Sequence, residues 1–242
     1  MSISILVFNI VQFFPSLNHH LLSLILKKAS VNSHIVRFFS NYLVNRRTQY
    51  VWINFSSHFV DVNMGVGQGL ALSPILSTLY LAFFLHILEN HLKNLNLQVF
   101  LLSFVDDGLL ITQSKSFETS NSCLYCSYNV AFNLLTKFGL LVEHTKTKVF
   151  HFSKSQESFN LPPLNLLSIG RPILSPKDFW QYLGFIFDRK LLFYNHIDFY
   201  ANKVLSTVKY IKILGNSTRR LNSHQKCLLY RSCAMSITLY GF

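Results

Sequence analysis

The spacing of apolar residues changes several times along this chain, and each change predicts an element. Ser2 to Ile10 is a mostly apolar run with β-branched residues, read as a buried strand, and it ends in an aromatic-Pro-Ser turn at Phe14–Ser16. From Leu17 to Ala29 and from Ser33 to Leu43, Leu, Ile, Val and Phe recur three or four apart, which predicts two helices. Asn32 or Ser33 would cap the second. Gln49–Phe55 and His58–Asn63 alternate as strands do, with Ser56 and Ser57 as the turn of a hairpin. Three glycines between Gly65 and Gly69 predict a loop. A helix follows over Ser73–Leu92, with Pro74 in its first turn.

Val99–Val105 and Leu109–Thr112 are apolar runs on either side of Asp106, Asp107 and Gly108, a strand, tight turn, strand unit. A long helix over Phe117–Phe138 leads through Gly139 to a strand near Leu140–Phe152, and residues 153–176, rich in Ser, Pro and Asn, form a linker-like stretch. Trp180–Asp188 reads as a strand with Lys190–Phe193 as its short partner, and Asn195–Tyr240 as two helices broken at Gly215–Thr218. This order predicts an α+β fold: a sheet domain over residues 1–193 and a helical end over 194–242.

Composition narrows the classes. Half of the 242 residues are apolar, 15% are aromatic and 13% are charged, which excludes intrinsic disorder and raises the question of a membrane span. Val62–Leu88 lacks Asp, Glu, Lys and Arg, but it contains Gly65, Gly67, Gln68, Gly69, Ser73, Pro74 and His86, which argues against a span. Met1–Phe14 has no basic leader and no small-residue cleavage site, so an intracellular chain, in cytoplasm or nucleus and off the membrane, is expected. The four cysteines provide no disulfide framework, and Cys123-x-x-Cys126 has no second pair at zinc-finger distance. The net charge is +12, and from Lys146 onward 14 basic residues face 4 acidic ones. After Asp198 come seven basic residues and no acid: Lys203, Lys209, Lys212, Arg219, Arg220, Lys226 and Arg231. A field of one sign suits a polyanion, here a nucleic acid.

The chemistry centres on Asp106 and Asp107. Adjacent carboxylates at a turn between apolar strands repel each other, and a hard divalent cation is their natural partner, although Asp-Asp-Gly is also an ordinary turn sequence. Phe104-Val105-Asp106-Asp107 resembles the aromatic-x-Asp-Asp box of reverse transcriptases. Further boxes of that family follow the same order: Phe8 to Ser16, Gly65-Val66-Gly67-Gln68-Gly69 through Ser73-Pro74, Gly139 through Lys146-Thr147, and Tyr182-Leu183-Gly184. Leu239-Tyr240-Gly241 is similar to the segment near the thumb in non-LTR, LINE-like retrotransposons.

The resemblance implies a right-hand polymerase palm with a partial helical thumb, copying an RNA template from a DNA primer and deoxynucleoside triphosphates with two Mg²⁺ or Mn²⁺ ions. By position, Asp106 and Asp107 would hold metal, Phe14 would gate the sugar, and Gln68 and Gly69 would sit against the nucleotide. Lys146 would lie near the leaving phosphate and Tyr182, Leu183 and Gly184 under the primer end. Asn9 stands where the family has a metal-bridging aspartate, and Leu70 and Ala71 where it has a small polar residue and proline. With one negative charge fewer, weak metal binding and a loss on the order of a thousandfold in rate are expected. Only eight residues precede Asn9, so the fingers are expected to be missing, or supplied by a partner chain. Three readings stand: an impaired RNA-directed DNA polymerase, a retroelement remnant that only binds nucleic acid, and a membrane protein.

Overall fold

The computed structural model describes residues 2–152, 161–166, 173–215 and 221–240. Strand β1 (Ser2–Asn9) leads through a short helix α1 (Phe13–Ser16) into α2 (His19–Lys28) and α3 (Ser33–Leu43). Asn18 and Asn32 cap these two helices by accepting the Leu21 and His34 amides. A projecting ribbon follows, with β2 (Arg46–Thr48) paired to β5 (Val60–Val62) and, beyond them, β3 (Val51–Trp52) paired to β4 (Phe55–Ser56). Its turn is at Ile53-Asn54 and not at Ser56-Ser57. Ser57 accepts the Tyr50 amide with its hydroxyl and donates its own amide to the Tyr50 carbonyl, so the serines belong to the ladder, while Ile53 takes the left-handed conformation.

Helix α4 (Ser73–Asn94) precedes the strand pair β6 (Val99–Phe104) and β7 (Asp107–Ser114), and α5 (Phe117–Lys137) leads back to the sheet. The segment predicted as a strand over Leu140–Phe152 is a 3₁₀ turn at His144–Lys146 followed by β8 (Lys148–Phe152). The sheet order is β6-β7-β1-β8, and β1 and β6 both run antiparallel to β7. Within the linker-like stretch, β9 (Leu164–Asn165) pairs with β10 (Ile173–Leu174).

Leu6, Phe8 and Ile10, alternate residues on one face of the sheet strand and its extension, meet Tyr80, Phe84 and Leu88 of α4 and Leu124, Tyr128, Ala131 and Leu135 of α5 in a single core. Burial of each of these Leu, Ile and Phe side chains stabilises the fold by about 1.5–3 kcal/mol. Tyr80 is fully buried and satisfies its hydroxyl by donating to the Phe138 carbonyl at 2.7 Å. Helix α4 is long and apolar enough to cross a membrane, but its Leu76, Tyr80, Phe84, Leu88 and Leu92 belong to this core, and Glu89, Asn90 and Lys93 face out.

The chain divides into two compact units, residues 1–151 with 158–176, and 152–157 with 177–242. In the second, β11 (Phe179–Tyr182) and β12 (Phe185–Asp188) form a hairpin, where the sequence suggested one strand. Leu183 (φ 47°) and Gly184 (φ 84°) supply the consecutive positive φ values of a tight hairpin turn. Lys190–Phe193 is no strand: the Asp188 carboxylate accepts the amides of Lys190, Leu192 and Phe193 and curls the chain into α6 (Tyr194–Gly215). A capping box at Asn222 and Gln225 starts α7 (Ser223–Leu229), which continues through a π-helical turn, Tyr230–Met235, into α8 (Ser236–Thr238).

Candidate active site

The turn between β6 and β7 is what presents the two carboxylates, both half-buried. Phe104 and Asp107 are the last ladder partners, leaving Val105 and Asp106 as the turn residues. Val105 has φ 56°, which costs a β-branched residue about 1–3 kcal/mol. The neighbouring strand β1 pairs Asn9 with Asp107, and the Ile10 amide donates to the Asp106 carbonyl at 2.8 Å. This register puts the Asn9 side chain between the carboxylates. Its Nδ2 donates to Asp106 Oδ2 at 3.2 Å and to Asp107 Oδ1 at 2.9 Å. Gly108 allows the approach: a Cβ there would lie 2.3 Å from the Phe8 ring.

A second wall comes from the turn after β1 and the glycine loop. The Gly65 amide donates to the Leu17 carbonyl at 2.7 Å and the Val66 amide to the Phe14 carbonyl at 2.8 Å. Gly65 lies so close over Pro15 that a Cβ would meet its carbonyl oxygen at 2.4 Å, and its φ of 79° favours glycine as well. Three side chains tie this loop down. His19 Nε2 contacts the Gly65 carbonyl at 2.6 Å, Arg46 Nη1 donates to the same oxygen at 3.0 Å, and Ser73 donates to the Gly67 carbonyl at 2.5 Å. The result is a cleft of about 360 Å³ lined by Gln12, Phe13, Phe14, Pro15, Gln68 and Asp106. Gly69 follows Gln68 at the open end of the loop with φ 85° and no atom within reach of a Cβ.

The third side is the segment after α5. The Glu143 amide donates to the Asn9 carbonyl at 2.8 Å, and Ile10 bridges to Val142. Lys146 is exposed and pairs with Glu143 Oε2 at 2.8 Å. The hydrogen bond and charge of Glu143 raise the Lys146 pKa, with smaller contributions from Asp106 and Asp107, and the Glu143 pKa is lowered by the same bond. Lys146 thus feels the field of the aspartate pair.

Sequence reasoning grouped Asn9, Asp106, Asp107, Phe14, Gln68, Gly69 and Lys146; Phe14, Gln68 and Asp106 line the cleft, Asn9 and Asp107 are bonded to each other beside Asp106, Gly69 follows Gln68 in the loop, and Lys146 is paired with Glu143. That reasoning missed Gln12, Arg46, His19 and Glu143. Of these only Glu143, three residues before Lys146, left a local signal. Tyr182, Leu183 and Gly184 form the hairpin turn of the second unit, where Tyr240 Oη donates to the Leu183 carbonyl at 2.5 Å and Tyr200 Oη to the Gly184 carbonyl at 3.0 Å. Lys203, Lys209, Lys212, Lys226 and Arg231 are exposed on its helices, and Arg219, Arg220 and Gly241 lie outside the described residues.

Carboxylate and amide oxygens are hard ligands, so Asp106 and Asp107, joined by Asn9 Oδ1 if the amide turns, suit a cation such as Mg²⁺ or Mn²⁺. Two charges are few for two cations, and among the described residues no three His, Cys, Asp or Glu side chains converge.

Residues 2–187 match the family described as reverse transcriptase (RNA-dependent DNA polymerase). The chain belongs to the reverse transcriptase family. Among solved structures, the telomerase of Candida tropicalis in complex with the TWJ fragment of telomeric RNA aligns with 98% of this chain and 38% of its own, at 12% identity and a TM-score of 0.57. The apo telomerase of the same organism aligns with 79% of this chain and 32% of its own, at 15% identity and a TM-score of 0.55. Both likenesses show the shared fold, and the chain spans about a third of the length of these telomerases. No curated protein matches the chain.

Proposed function

We propose that this reverse transcriptase chain carries the palm of an RNA-directed DNA polymerase of the non-LTR, LINE-like kind, with catalysis impaired by Asn9. The observation that carries the proposal is the joint placement of Asp106, Phe14 and Gln68 around one cleft, with Asp107 and Asn9 hydrogen-bonded at its edge. The similarity of Leu239-Tyr240-Gly241 to the segment near the thumb in LINE-like elements supports the retrotransposon kind, and an intracellular location accords with it.

The roles follow from the resemblance to reverse transcriptases, and the grouping of these residues supports them. Asp106 and Asp107 would hold a divalent cation, which supplies Lewis-acid activation of the primer hydroxyl and neutralises charge on the transferring phosphoryl group. Phe14 presents an apolar wall to the sugar, Gln68 offers amide hydrogen bonds to the nucleotide, and Lys146 brings a cation toward the departing phosphates. Asn9 works against the cation. Its amide N–H groups occupy the carboxylate oxygens that a metal needs, and in place of a third negative charge it brings none. The exposed Lys203, Lys209, Lys212, Lys226 and Arg231, with Arg219 and Arg220, would grip the template–primer backbone. A remnant that only binds nucleic acid remains as the second reading, favoured by the same amide.

Two assays with the full chain test this. Fluorescent deoxynucleoside triphosphate with Mn²⁺ should bind, and Asp106→Ala should abolish binding; retention in that variant rules out the site. RNA-templated primer extension should not exceed the Asp106→Ala blank. Robust extension that depends on Asp106 overturns the reading of Asn9 as a lesion.

A further inference from the structure

The ribbon β2–β5 presents a concentration of aromatic surface that the cleft does not use. Tyr50, Trp52, Phe55 and Phe59 are all at least 63% exposed, and Ile53 at the tip is 86% exposed. Trp52 and Phe55 are cross-strand partners, so their rings share a face. Among the described residues none of the four rings stacks on another aromatic ring. The ribbon is nonetheless ordered by its own bonds: Gln49 Nε2 donates to the Ser57 carbonyl at 2.9 Å, and Arg47 pairs with Asp61 at 3.0 Å.

Charge and continuity select the occupant. The first 88 residues contain Lys27, Lys28, Arg37, Arg46 and Arg47, and one acid, Asp61, which Arg47 already neutralises. The base of the ribbon joins the candidate site directly: Arg46 holds the Gly65 carbonyl, and Gly65 opens the loop that brings Gln68 to the cleft. Exposed rings on a cationic stem that leads out of a nucleotide cleft match the chemistry of single-stranded nucleic acid, whose bases stack on aromatic faces for about 1–3 kcal/mol each. Aromatic rings also suit protein and lipid partners, so it is the basic residues around the ribbon and its continuity with the cleft that favour a nucleic acid.

We infer that the Tyr50–Phe59 ribbon is a stacking platform for unpaired template bases outside the cleft, with Trp52 and Phe55 as its principal rings. The inference rests on the polymerase reading. Stacking on the template strand holds it in register while the next base is copied.

Trp52 makes the test direct, because the second tryptophan, Trp180, is only 6% exposed. A fluorescein-labelled oligo(rU) titrated into the full chain reports binding by anisotropy; an unlabelled one reports stacking by quenching of tryptophan emission. The inference predicts binding with strong quenching, which disappears in Trp52→Phe while affinity stays nearly unchanged. Trp52→Leu keeps an apolar side chain but no π face, and should weaken binding about tenfold or more. Binding without quenching, or equal affinity in Trp52→Leu, overturns the platform and leaves the polymerase reading standing. Absence of binding by anisotropy defeats both. Sedimentation with anionic vesicles, or self-association, that is lost on substitution of Trp52 while oligonucleotide affinity is unchanged also overturns the platform.

Discussion

Replacing Asn9 with aspartate puts the electrostatic account of the site under load. In the native chain Nδ2 approaches the two carboxylates at 3.2 and 2.9 Å, and both contacts are attractive. Asn9→Asp turns both into contacts between like charges. At about 3 Å each costs roughly 1.4 kcal/mol even with the dielectric constant of water, so the metal-free variant loses about 2–3 kcal/mol at pH 8. For a chain of this size that lowers the melting temperature by roughly 5–10 °C. The introduced carboxyl has its folded pKa raised by its two neighbours. Its penalty is therefore present above that pKa and disappears as pH falls through it, so the two melting curves should converge toward about pH 4. Divalent cation should also close the gap, because Mn²⁺ at a hundredfold excess over its dissociation constant adds about 2.7 kcal/mol to the state that binds it. Thermal unfolding by circular dichroism, across pH and with or without Mn²⁺, reads all three effects. Equal stability at pH 8 without metal, together with equal Mn²⁺ shifts, refutes the reasoning.

Three further outcomes are expected. Gly108→Ala drives a methyl into the Phe8 ring beside Asp107, so it should cost about 1–3 kcal/mol in denaturant unfolding and weaken Mn²⁺ binding as well; a neutral effect contradicts the packing argument. Burial pushes the Tyr80 pKa up to about 12, so the native chain should lose stability from pH 10 to about 12, and Tyr80→Phe should be less stable below pH 10 by about 1–2 kcal/mol with a flatter alkaline limb. In the hairpin of the second unit, Gly184→Ala should cost more than Tyr240→Phe, which removes one hydrogen bond worth about 1 kcal/mol, because the new Cβ lands 2.6 Å from Tyr240 Oη at φ 84°. Combining Gly184→Ala with Tyr240→Ala should cost less than the sum of the two, and strict additivity speaks against the clash.

Strong periodicity explains which elements were legible. Helix α3 begins at Ser33 behind its Asn32 cap, as its pattern indicated, and the edges of β1, α4 and α5 fall close to the predicted positions. The aspartate turn was legible because apolar strands flank it on both sides. Turn placement within ribbons was not, since alternation looks the same whichever residues bend; Ile53 adopts a positive φ that its type does not favour, and Leu183-Gly184 lies inside an apolar run that reads as continuous. The contacts that assemble the cleft, Arg46 and His19 to the Gly65 carbonyl, are 19 and 46 residues apart in sequence, beyond the reach of any local pattern.

The central claim is that Asp106 and Asp107 form a metal site weakened by the amide of Asn9. Mn²⁺ titration followed by electron paramagnetic resonance, on the native chain, Asn9→Asp and Asp106→Ala, tests it most directly. The account predicts weak binding by the native chain, binding at least about tenfold tighter in Asn9→Asp, since one extra carboxylate ligand is worth 1.4 kcal/mol or more, and none at this site in Asp106→Ala. Native and Asn9→Asp chains that bind Mn²⁺ equally, or an Asp106→Ala variant that still binds it, would contradict the claim.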